Sequence, residues 1–148
     1  MSPYVEPTSN RLSESVLEIY MKVKVIPVPA PRMTRADRWT DVEKNKGRPA
    51  VLRYFKYRDV LSKAWEEQEG EATFPEQVNL KFLMPIPKSW SNKKKKEMLG
   101  KPHQQKPDID NLSKAVMDAL AKEDKGVFSL KATKYWAEEG SVEILSEV

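Results

Sequence analysis

Two aspartates one residue apart, Asp108 and Asp110, stand in the stretch KPDIDNLSKAVMDAL, where a proline-containing segment gives way to helical spacing. At a helix entrance the irregular backbone lets two such carboxylates converge on a hard cation, as magnesium or manganese prefers. Lys114 follows one turn after Asp110, and Asp118 one turn after that. All three therefore project from one helical face while Leu112, Val116 and Leu120 turn elsewhere. Phosphodiester hydrolysis needs metal ions to activate water and neutralise developing charge, and a fixed cation such as Lys114 adds to that stabilisation. A plain structural reading fits the same residues. Asp108 and Asp110 can simply cap the helix, while Asp110, Lys114 and Asp118 form surface pairs worth a few tenths of a kcal/mol. Spacing alone leaves both readings open.

A third acid is available in KEDKGVF, where Glu123 and Asp124 precede a strand and can return beside the helix start in a compact fold. Read locally, they are ordinary turn residues. The rest of the composition narrows the ligand chemistry. There is no cysteine, and a single histidine, His103, excludes a thiolate site or a histidine cluster for zinc. Any metal must be held by oxygen. As a lone histidine in a loop, His103 is expected at the surface rather than in catalysis.

The elements that must position these groups follow from periodicity. Residues 1–14 carry proline and small polar residues without a repeat, which predicts a flexible N-terminal arm ahead of one domain at 15–148. The partial alternation of VLEIYMKVKVIPV predicts a strand over residues 16–28, with Leu17, Ile19, Met21, Val23 and Val25 on one side. A basic loop follows from Arg32. Tyr54, Tyr57, Leu61, Ala64 and Trp65 predict a helix over 50–68 that stops at Gly70. QVNLKFLM predicts a strand over 77–84, and SWSNKKKKEMLG a short basic helix. A helix over 110–121 buries Leu112, Ala115, Val116, Ala119 and Leu120. Strands over 127–136 and 141–145, turning at Glu138, Glu139 and Gly140, predict a closing hairpin. The fold class expected is α+β: a mixed sheet of about four strands covered by two to three helices.

Charge points to a polyanionic partner. The net charge is +4 with a pI near 9.2. Arg32, Arg35 and Arg38 surround Met33 and Trp39, a composition suited to phosphate contacts and base stacking; the alternative is a solvated loop with Trp39 tucked inward. Lys93, Lys94, Lys95 and Lys96 form a run that binds backbone phosphates without reading bases, or is merely solvated. Lys106, just before the aspartate pair, is a further candidate DNA contact.

KPDIDNLSKAVMDAL followed by KEDKGVFSLKATKYW resembles the signature of the RusA family of crossover junction endodeoxyribonucleases, the Holliday junction resolvases of bacteria and their prophages. IPVPAPRMTRADRW and FLMPIPKSWSNKKKKEMLGKPHQQ resemble phage-type members, so the likeness runs from about residue 23 to 144. It implies that Asp108, Asp110 and Asp124 are an acidic metal-binding triad and Lys114 a catalytic lysine. Glu123 stands where the family usually has another aspartate, and it and Asp118 are assigned supporting parts at most. The resemblance further implies magnesium, with manganese as a possible substitute, and a homodimer that makes paired nicks across four-way DNA in recombination and repair. The alternatives are a non-catalytic branched-DNA-binding module and a broader branched-DNA, flap or RNA-directed nuclease.

With no run of about eighteen apolar residues and no signal-like start, the expectation is a cytoplasmic protein of a bacterial or phage-infected cell, without membrane contact.

Overall fold

A computed structural model describes residues 17–70, 74–121 and 126–147; the expected N-terminal arm lies outside them. The chain runs β1 (Leu17–Val23), a 3-10 turn (Arg35–Trp39), α1 (Pro49–Glu69), β2 (Gln77–Pro85), α2 (Asn92–Met98), α3 (Ile109–Leu120), β3 (Ser129–Ala137) and β4 (Ser141–Glu147). The expected class is borne out: a four-stranded mixed sheet with three α-helices among the described residues.

The sheet order is β1-β4-β2-β3. β4 pairs antiparallel with both β1 and β2, whereas β3 pairs parallel with β2. The expected hairpin is therefore corrected. β3 and β4 follow each other in sequence, yet β2 lies between them, and residues 138–140 carry the chain across the end of β2. β2 takes the middle because it alternates cleanly, burying Val78, Leu80, Phe82 and Met84 on one face. Its ladder with β4 runs only from Asn79 to Leu83, which leaves the last two residues of β2 free of β4 at the crossing. The crossing is tight at Gly140, where a β-carbon would stand 2.8 Å from the Ile26 Cα, so only glycine fits. Local turn signals are the same for a hairpin and for this crossover.

β1 is shorter than its alternation suggests. It ends at Val23 rather than at residue 28, because the Val25 amide donates to the Val23 carbonyl at 3.1 Å and bends the chain out of the ladder before the prolines begin. Between Ile19 and Met21 the register with β4 shifts, a bulge in the strand.

One core joins sheet and helices. Met21, Val23, Leu80, Phe82, Val142 and Ile144 from the sheet meet Tyr54, Tyr57, Leu61 and Trp65 of α1 and Leu112, Ala115 and Val116 of α3. α1 starts with Pro49 in the first turn, where a missing amide hydrogen costs nothing, and closes on Gly70 at φ 63°. Leu112 is fully buried, and truncating such a residue to alanine costs about 2–5 kcal/mol. The helix that carries the aspartates is thus pinned from beneath by its own apolar face.

Candidate active site

β3 builds the approach to the aspartates. Its outer edge takes up the segment after α2: the Gly100 amide donates to the Trp136 carbonyl, the Trp136 amide to the Lys101 carbonyl, and the His103 amide to the Lys134 carbonyl. Pro102 bridges Tyr135 in the same ladder. The chain then leaves the edge, and the Lys134 ammonium follows it, donating to the Gln105 carbonyl at 2.7 Å and to the Pro107 carbonyl at 2.8 Å. Pro107 delivers the chain to Asp108, the N-cap of α3.

The N-cap is where a short acidic side chain ordinarily accepts an amide of the first turn. Asp108 makes no such bond. Asp110 lies within the first turn and accepts the amide of Asn111 at 2.9 Å. Both are exposed, and together with His103, Lys106 and Lys134 they line an open cleft of about 690 Å³. Among the described residues neither carboxylate has a cationic partner within 4.0 Å; the ion pair seen there joins Arg48 to Asp37. The surface pairs that a purely structural role predicts, Asp110 with Lys114 and Lys114 with Asp118, are not formed.

Lys114 is exposed one turn along α3, outside the cleft lining. Asp118 is turned to a structural task, accepting the Tyr54 hydroxyl of α1 at 3.0 Å. Burial first, and that hydrogen bond second, push the Tyr54 hydroxyl up to about 12. Glu123 and Asp124 lie outside the described residues. Among the described residues no group of three acids or histidines is gathered for a metal. The two cleft carboxylates nevertheless fit magnesium, which is bound through one or two carboxylates while water and substrate oxygens complete its shell.

His103 is buried rather than exposed, its ring tilted against that of Trp136 with centroids 4.2 Å apart. Burial, with the nearby Lys134 charge, holds its pKa below the usual histidine value. Trp136 in turn meets Trp90, whose ring carries the Lys94 ammonium at 4.2 Å. Lys94 is thereby held against these rings; Lys93, Lys94 and Lys96 are exposed and Lys95 is half-buried on α2.

The arginine loop is anchored close by. The Ala30 amide donates to the carbonyl of Asn111, next to Asp110, which ties the chain two residues before Arg32 to the first turn of α3. Beyond it the 3-10 turn is braced by buried Asp37, which accepts the Thr34 amide and hydroxyl and the Arg48 guanidinium. The same guanidinium donates to the Arg32 carbonyl at 2.7 Å. Arg48 and the backbone of Thr34 hold the Asp37 carboxyl well below the usual carboxylate range. Arg32, Arg35 and Arg38 are exposed on this frame. Trp39 is not tucked inward: it is 64% exposed, with the Arg38 guanidinium 4.8 Å from its ring centre.

Sequence reasoning missed Lys134 and the Asp37–Arg48 pair. Each acts on partners far along the chain, and neither carries a local pattern.

The family described as Endodeoxyribonuclease RusA matches residues 23–145. The chain belongs to the RusA family. It is also 40% identical over 105 residues to the "Uncharacterized protein YqaN" of Bacillus subtilis (strain 168), across 66% of this chain and 74% of that protein. The RusA match takes in the cleft, the arginine loop, the lysine run, Lys114 and the segment holding Glu123 and Asp124.

Proposed function

We propose that this chain is a magnesium-dependent, structure-selective endodeoxyribonuclease that resolves Holliday junctions by paired nicks, working as a homodimer in recombination and repair. The observation that carries this reading is the cleft in a RusA-family chain: Asp108 stands at an N-cap without capping, beside Asp110 and free of any cation within 4.0 Å among the described residues.

Asp108 and Asp110 would hold the cation, with Asp124 as the third ligand that the resemblance assigns. The bound metal supplies an activated water and neutralises charge on the scissile phosphate; manganese can replace it. The chain's own part is positioning and charge. α3, held down by Leu112 and Val116, fixes both carboxylates relative to each other. Lys114 meets charge developing on the phosphate. Arg32, Arg35, Arg38, Lys93, Lys94, Lys95, Lys96 and Lys106 hold backbone phosphates and set the register of the duplex arms without reading bases. Two copies related by a twofold axis match a four-way junction, so opposite strands are cut in one bound complex.

The test compares four-way, three-way, flap and linear duplex DNA, and an RNA of the same sequence, with mapped products in magnesium and in EDTA. Symmetric nicks in the four-way junction, in magnesium alone, are expected. Junction binding in both conditions with nicks in neither would establish a binding module instead. Equal cutting of flaps or RNA would remove the junction assignment.

A further inference from the structure

Lys134 joins the sheet to the segment that forms one wall of the cleft. It reaches the chain before Asp108 three times: its carbonyl accepts the His103 amide at 3.0 Å, and its ammonium donates to the carbonyls of Gln105 and Pro107 at 2.7 and 2.8 Å. These bonds join β3 to a segment with no ladder of its own beyond residue 103. Two of the three N–H groups of the ammonium are used in this way. Lys134 also lines the cleft beside Asp108 and Asp110, yet lies beyond ion-pair distance of both. It brings positive charge to the site without occupying either carboxylate.

We infer that Lys134 is a positioning residue for the metal-binding carboxylates, tying residues 105–107 to the sheet so that Asp108 and Asp110 share one cleft. The inference rests on the proposed metal-dependent reading of that cleft. With that segment untethered, Asp108, which precedes the first turn of α3, would have to be ordered against Asp110 each time a cation bound, and groups that orient metal ligands typically change metal affinity 10- to 100-fold when removed. A lysine making two carbonyl bonds from one ammonium meets that need, and an arginine in its place would retain enough donors to do the same.

The experiment uses the full chain with Lys134→Met, which keeps the apolar stem, and Lys134→Arg, which restores donors. Four readouts are taken: circular dichroism for fold, amide hydrogen exchange over residues 104–110 in metal-free protein, manganese affinity without DNA, and junction binding in EDTA. Lys134→Met is expected to stay folded, to exchange faster over 104–110, and to bind manganese at least tenfold more weakly. Its junction binding in EDTA should change less than twofold, and cleavage should recover in part at high metal. Lys134→Arg should return manganese affinity to within a few-fold of wild type. Wild-type exchange and manganese affinity in Lys134→Met would overturn the inference. So would loss of junction binding at unchanged metal affinity, which would make Lys134 a plain phosphate contact. Should Lys134→Met fail to fold, Lys134→Gln, which keeps a polar head too short to reach both carbonyls, decides: folded protein with faster exchange over 104–110 and weaker manganese binding supports the tether, and wild-type exchange and affinity contradict it. A wild-type protein that neither binds manganese nor cuts junctions would instead remove the proposed function.

Discussion

The carboxylate at position 108 occupies the place where aspartate most often caps a helix and makes no capping bond there. That departure counts against a capping role, one of the two readings that spacing left balanced, and the proposed metal-binding role is argued from it. Lys114 is exposed and without an ion pair among the described residues, so Lys114→Ala should fold normally, with a melting temperature within about 2 °C of wild type. Cleavage should fall roughly 10²- to 10³-fold, as when one group that stabilises transition-state charge is removed, while junction binding persists. Normal cutting by that variant would remove Lys114 from the mechanism. Asp37 makes a separate, pH-dependent prediction. Its carboxyl is held well below its unfolded value by Arg48 and Thr34, so its contribution to stability is complete above about pH 4 and disappears as pH falls further. The difference in melting temperature between wild type and Asp37→Asn should shrink between about pH 4 and 2. A constant difference would show that the carboxyl's charge does not matter. The aspartate pair and Lys114 were legible as types and spacing. Lys134 was not, because its partners lie 27 and 29 residues away and a lysine on a strand edge gives no sign of what it reaches.

Among the elements, the helices were the easier to read. α1 and α3 fall within a residue of the spans their periodicity and flanking residues suggest, and α2 lies inside the stretch expected of it, since each helix carries its own apolar stripe or cap. Strand order was less legible. That β2 separates β3 from β4 depends on which strand can be buried, a property of the assembled sheet rather than of the turn at residues 138–140. His103 likewise looked like a loop residue, and only the ladder on β3 carries it beneath Trp136. Asp118, on the same helical face as Lys114, is claimed by α1 through Tyr54. Tyr54→Phe should cost about 1 kcal/mol and lower the melting temperature by a few degrees, leaving cleavage within twofold. Because the Tyr54 hydroxyl is pushed up to about 12, the unfolded chain loses its proton first, near pH 10, and wild-type stability declines as pH rises from there. Tyr54→Phe should decline less steeply over that range. A large loss of cutting at full stability in Asp118→Ala would instead place Asp118 in the chemistry.

For the whole molecule, a net charge of +4 says little by itself. Its placement says more: a lysine helix whose Lys94 lies over Trp90, which in turn meets Trp136 on the strand that borders the cleft, and an arginine turn tied to the first turn of α3. If both hold DNA backbone, replacing Lys93, Lys94 and Lys96 by alanine should weaken junction binding and lower the salt slope by about one unit for each phosphate these lysines neutralise. An unchanged slope would assign the run to solvent. Whether Asp108 and Asp110 hold the metal that cuts DNA is decided by cleavage of a synthetic four-way junction, with purified Asp110→Asn run beside wild type. Wild type should make paired nicks in magnesium and none in EDTA, and the folded variant should bind the junction but leave it uncut. An Asp110→Asn protein that cuts the junction as fast as wild type would contradict the assignment of these carboxylates.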